Sequence, residues 1–246
     1  MDSMRKIAAI ARKELFTFFL SPLAYVVLTA FFILNGYVFF IILRMYSDAD
    51  APSSPPLQVM FGDVFFWLLI LIMVPVITMR SFAAERESGR IEVLLTSPLS
   101  ALEIVAGKFA GAFLSYAAVW SFSLIYAAAV YWVGRPDIGP VISSYAGILL
   151  LGLCYISMGI FASAMARTQL VSAIVCFVLL MLFFSIGVVE AVVSTQWIRD
   201  VTAYLSVFHH FEDFTSGIID TRHVLFYLTL TPVFLFLSVR AIGAKS

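Results

Sequence analysis

Six apolar runs, each long enough to cross a lipid bilayer, dominate this chain and leave little room for anything else. They cover about Leu23–Leu43, Leu57–Met79, Ile104–Val133, Val141–Met165, Leu170–Val193 and Val224–Ile242. A span needs roughly 20 mostly apolar residues to cross about 30 Å of hydrocarbon. In lipid the backbone must satisfy its own polar groups, which selects helices over open sheet. The chain is 62% hydrophobic and 12% charged over 246 residues, whereas soluble domains carry about 25% charged residues. Lipid is therefore the expected solvent. The expected fold class is all-α, a polytopic transmembrane domain over residues 1–246 with six spans.

The net charge is zero, which gives no electrostatic footprint for nucleic acid. Its distribution is more informative. Six spans put both termini on one side, together with Arg5, Lys6, Arg12, Lys13, Arg80, Arg86, Arg90, Lys108, Arg167, Arg240 and Lys245. The other side receives Arg44, Arg135, Arg199 and Arg222. This asymmetry predicts cytoplasmic termini. The first run is too long for the apolar core of a secretory leader and reads as a retained span.

Before it, residues 4–20 place Met4, Ile7, Ala11, Leu15 and Phe18 on one helical face and Arg5, Lys6, Arg12 and Lys13 on the other. That pattern predicts an interfacial helix lying in the lipid headgroups, turned into the membrane at Ser21-Pro22. Residues 194–223 alternate Trp197, Tyr204, Phe208, Phe211 and Phe214 with charged side chains, predicting short outer-face helices at headgroup depth before the last span. His209, His210 and His223 lie there beside Glu212 and Asp213, in a spacing that matches no metal-ligand motif, so no metal is expected. Cys154 and Cys176 fall inside apolar runs and read as small core residues. Gly107 and Gly111 form a Gly-x-x-x-Gly pair suited to close helix packing.

Asp63 and Glu190 fall near the outer ends of their runs, and no chain of charged groups crosses the midplane, which argues against an ion-coupled carrier. A membrane enzyme would need a nucleophile–base pair or paired carboxylates at depth. The histidines lie outside the runs and the serines have no base beside them, so no catalytic residue is expected.

One segment on the cytoplasmic side breaks the apolar pattern. Arg80–Lys108 carries eight charged side chains in 29 residues. Arg80–Ser88 continues the second helix to a stop at Gly89. Ile91–Leu95 and Thr96-Ser97-Pro98 turn the chain, and Ser100-Ala101-Leu102-Glu103 is a capping box opening the next helix. Residues 80–103 thus form a shaped, charged knob. The stretch Glu85-Arg86-Glu87-Ser88-Gly89-Arg90-Ile91-Glu92-Val93-Leu94-Leu95-Thr96-Ser97-Pro98 resembles the signature cytoplasmic segment of ABC type-2 transporter permeases. The C-terminal part, with Gly217-Ile218-Ile219-Asp220 and a last apolar run, resembles the gliding-motility-associated branch, close to the nitrous-oxide-reductase maturation permeases.

That resemblance implies a permease subunit in the inner membrane of a bacterium, paired with a second permease, identical or not, above a cytoplasmic ABC ATPase dimer. Glu85, Arg86, Glu87, Gly89, Arg90 and Glu92 would then form or support the coupling to the ATPase, with Pro98 setting the exit angle. The N-terminal basic helix would be a second contact. No Gly-x-x-x-x-Gly-Lys-[Ser/Thr] run occurs in the sequence, so ATP and magnesium would be bound by the partner and no cofactor by this chain. The alternative expectation is a non-transporting force transmitter or anchor for an extracytoplasmic partner complex.

Overall fold

Helices alone build the described residues of the computed structural model, which are 2–47, 56–89, 99–134, 137–193 and 195–243. In chain order they are α1 (Asp2–Phe19), α2 (Pro22–Ser47), α3 (Pro56–Gly62), α4 (Val64–Thr78), α5 (Ala83–Glu87) and α6 (Ala101–Phe122). They continue with α7 (Leu124–Gly134), α8 (Ile138–Met165), α9 (Gln169–Val192), α10 (Gln196–Leu205), α11 (Val207–Thr215) and α12 (Thr221–Gly243).

Among the described residues, five helical stretches are long and apolar enough to cross a membrane: Pro22–Tyr46, Ala101–Trp132, Ile138–Met165, Gln169–Val189 and Thr221–Gly243. The second apolar run of the sequence departs from the expected uniform span. It divides at Gly62-Asp63 into the seven-residue α3 and the 15-residue α4. The cause is local. Asp63 sits in extended backbone and its Oδ1 accepts from Phe65 N at 2.8 Å, so it caps a new helix. At 1.5 Å per residue α4 is about 22 Å long, short of the hydrocarbon thickness.

The core centres on α8. Most of its length is buried, with Leu151, Cys154, Tyr155, Ile156, Met158 and Ile160 fully enclosed. Small residues let its neighbours come close. A Cβ on Gly159 would lie 2.3 Å from Thr78 Oγ1 of α4. Tyr116 of α6 crosses α8 at Gly152 and donates its hydroxyl to Ile148 O at 3.0 Å. Cys154 and Cys176 are free and buried, in keeping with an apolar packing role.

The third run is broken but continuous. Ser123 separates α6 from α7, donating to Trp120 O at 2.7 Å and pairing with Tyr145 Oη at 2.9 Å. Together Ala101–Trp132 is 32 residues, about 48 Å of helix against about 30 Å of hydrocarbon. The surplus is about 12 residues. The first turns of α6, where α1 packs, account for it.

Candidate functional site: the junction of α1, α5, α6 and the α8–α9 turn

α1 runs parallel to the first four turns of α6. Glycine makes that possible. A Cβ on Gly107 would lie 2.7 Å from Ile10 Cβ, and one on Gly111 would lie 2.6 Å from Glu14 Cβ and 2.8 Å from Ala11 O. The Gly-x-x-x-Gly pair therefore receives the N-terminal helix rather than another span. Ala11 is buried there, and Ile7 and Ile10 are half-buried, so part of the α1 apolar stripe meets protein. Arg5, Arg12 and Lys13 stay exposed on the opposite side, and Lys6 is half-buried. The N-terminal end of α6 is fixed by its capping box, Ser100 N to Glu103 Oε2 at 2.9 Å and Glu103 N to Ser100 Oγ at 3.2 Å. Ser3 and Lys6 of α1 lie near the Glu103 carboxyl.

Between the two glycines stands Lys108, buried to 1% exposure. Its Nζ lies 2.8 Å from Glu14 Oε1 of α1 and 2.9 Å from Glu85 Oε1 of α5, and donates to Ser81 O. Lys13 adds a longer contact to Glu85 Oε1 at 3.9 Å. Lys108 Nζ also sits 5.0 Å from the Phe82 ring centroid. One ammonium thus ties α1, α5 and α6. Glu14 and Lys108 were not singled out by the sequence pattern as a pair. They lie 94 residues apart, and only the α1–α6 register brings them together.

α5 is joined just as closely to the α8–α9 turn. Ser163 Oγ accepts from Phe82 N at 3.0 Å and Ala83 N at 3.1 Å, the open amides at the start of α5. Arg86 Nη1 donates to Ala164 O at 2.9 Å and Ala166 O at 2.7 Å, at the C-terminal end of α8. Glu87 Oε2 accepts from Gln169 N at 3.3 Å and Gln169 Nε2 at 3.2 Å, at the start of α9. Positive charge on a helix C-terminus and negative charge on an N-terminus both complement the helix dipoles. Gly89 follows at φ +70°, the left-handed turn that stops the helix. Glu85, Arg86 and Glu87 are therefore engaged within the chain at this junction. Arg90, Glu92 and Pro98 lie outside the described residues.

At the opposite end, α11 and the start of α12 bring two of the three histidines together. His210 Nδ1 and His223 Nδ1 are 2.5 Å apart, and His223 Nε2 donates to Asp213 Oδ2 at 2.6 Å. His210 Nε2 also faces Tyr204 O at 3.2 Å. No group of three or more His, Cys, Asp or Glu suited to a metal occurs among the described residues. Burial pushes the His210 pKa down, and the neighbouring His223 and His209 add to this. A base whose folded pKa is depressed binds more protons unfolded, so its contribution is complete above about pH 6.5 and is lost as pH falls. Melting of the purified protein is expected to shift downward between pH 7 and 5, and a His210→Asn variant should show a shallower slope; equal slopes would contradict this.

A bundle of long apolar helices with one charged junction at one end defines a multi-pass membrane protein. The chain belongs to the ABC-2 transporter family: the model of that family, described as ABC-2 family transporter protein, matches residues 8–242. It is similar to the "Probable multidrug ABC transporter permease YbhR" of Escherichia coli strain K12, 28% identical over 153 residues covering 61% of this chain and 41% of that protein. The same figures hold for the O157:H7 protein of that name. The matched region thus spans about two fifths of these relatives.

Proposed function

We propose that this chain is the membrane permease of an ATP-driven transporter, acting as an exporter, and that α5 is where a separate cytoplasmic ATPase moves it. The observation carrying this reading is the engagement of one five-residue helix with α1, α6 and both helices of the α8–α9 turn. A push on α5 reaches four elements without passing through a flexible linker. Family membership supports the ATPase partner and the pairing with a second permease. The orientation with cytoplasmic termini in a bacterial inner membrane rests on the lysine and arginine asymmetry. The printed name of the E. coli relatives, a probable multidrug permease, supports drug-like cargo. The gliding-motility branch remains the finer reading, resting on the C-terminal resemblance.

The test is Arg86→Gln, which removes the charge from the α8 carbonyls while keeping a donor. Reconstituted with its ATPase in proteoliposomes, the variant should retain ATP hydrolysis and lose most dye transport, about tenfold. Unchanged transport and unchanged ATPase stimulation would sink the reading. ATPase stimulation with no transport even in the unaltered protein would instead favour force transmission.

A further inference from the structure

Three polar contacts run in series at the end of the molecule opposite α5. His210 Nε2 lies 3.2 Å from Tyr204 O, His210 Nδ1 lies 2.5 Å from His223 Nδ1, and His223 Nε2 lies 2.6 Å from Asp213 Oδ2. Both histidines are buried, at 7% exposure each. The chain of contacts fixes how many protons it holds. A carbonyl oxygen only accepts, so His210 Nε2 carries a hydrogen. Two bare nitrogens repel at 2.5 Å, so a second hydrogen lies between the Nδ1 atoms. A third lies between His223 Nε2 and the Asp213 carboxyl. Two neutral imidazoles supply only two N–H groups. The network therefore holds three protons, and with the Asp213 carboxylate its net charge is zero, which suits a buried site. Burial and the neighbouring His223 push the His210 pKa down, so His210 is the neutral ring and His223 the imidazolium.

The charged surroundings are sparse among the described residues. α11 adds His209 and Glu212, both exposed. Arg222 of α12 is exposed and follows Asp220, whose Oδ1 accepts from Arg222 N at 2.9 Å. α4 brings Asp63, which lines a cleft with Glu212. α8 and α9 touch α11 through Ser143, Gly147 and Gly187, which bear no charge. The charges acting on His210 are those of His223, His209 and Asp213.

We propose that His210, His223 and Asp213 form a proton-binding site that latches α11 to α12 in its three-proton state and releases it when the medium on that side turns acid. A fourth proton goes to His210 Nδ1. Two N–H groups then point at each other between two positive rings, and the contact opens. Protons reach the site through Asp213, whose side chain is 39% exposed. α11 also closes over the core. Phe211 stacks on Phe66 at 5.1 Å, and Phe214 O accepts from Ser143 Oγ at 2.7 Å. Release of α11 therefore loosens the nearby ends of α4 and α8.

The test uses the purified permease in detergent, without its ATPase or ATP, so it is independent of the coupling proposed above. The chain has three histidines, which makes nitrogen-15 histidine labelling and NMR readable, with His209→Asn assigning the exposed ring. At pH 7 one buried ring should show both nitrogens protonated and the other only Nε2; two neutral rings would overturn the assignment. Spin labels at Ser216→Cys and Leu225→Cys, both exposed positions, report the distance between α11 and α12, while the native cysteines are fully buried. That distance should lengthen between pH 7 and 5. His210→Asn should abolish the response, and Asp213→Asn, which removes the compensating charge, should show the longer distance already at pH 7. A distance that does not change with pH, or a response that His210→Asn leaves intact, overturns the latch.

Discussion

Replacing Lys108 by methionine is expected to be the most damaging single change in this chain. The substitution nearly keeps the side-chain volume and removes the one ammonium that Glu14 and Glu85 share. Both carboxylates are largely sheltered, at 18% and 16% side-chain exposure. Breaking a buried ion pair by deleting one partner costs about 3–5 kcal/mol, because the remaining charge is left uncompensated. Here two charges are left, with only the exposed Lys13 at 3.9 Å from Glu85 to help. The expected outcome is a melting temperature several degrees lower and sharply reduced accumulation in the membrane. The triple variant Lys108→Met, Glu14→Gln, Glu85→Gln should recover much of the loss. If the triple variant is no more stable than Lys108→Met alone, the charge argument fails and the cost is one of packing.

A second large effect is expected for Gly111→Val. The new Cβ would meet Ala11 O at 2.8 Å and Ala11 Cα at 3.2 Å, which are backbone atoms that cannot swing aside. Either α1 lifts from α6 or the backbone shifts. Overpacking of this kind costs about 1–3 kcal/mol, and lifting α1 would also draw Glu14 away from Lys108. A cysteine pair at Ala11 and Gly107 is unsuited to follow this, since Gly107 shares the contact. Protease accessibility of the first 20 residues serves better, and cleavage within α1 should rise at least several-fold in the variant. Unchanged cleavage and unchanged melting would show that α1 is not seated on these glycines.

Much of this could be read from the residues themselves, where the signal was local. Ser100 and Glu103 are three positions apart, and their box needs no tertiary partner. Gly89 stops α5 for a reason contained in one residue. The helical class follows from runs whose length and composition leave no other solution in lipid. The break at Asp63 is harder to see, because an averaged apolar run hides one capping carboxylate. The destination of Lys108 was not legible at all. Lysine in a charged stretch reads as a solvated face, and its burial depends on Glu14 arriving from the far side of the sequence. The same holds for Gly107 and Gly111. Their spacing announces a close neighbour without saying that the neighbour is an amphipathic helix.

Arg86 and Glu87 are consecutive residues, yet they grip different helices: one the end of α8, the other the beginning of α9. A lever pinned at two points cannot pivot about either. If α5 is displaced, α8 and α9 must travel together as a yoke, and the turn at Arg167 between them need not bend. Because α8 is also the helix around which the core is built, such a stroke would be spent on whole-body rotation of the bundle rather than on loosening any one contact within it.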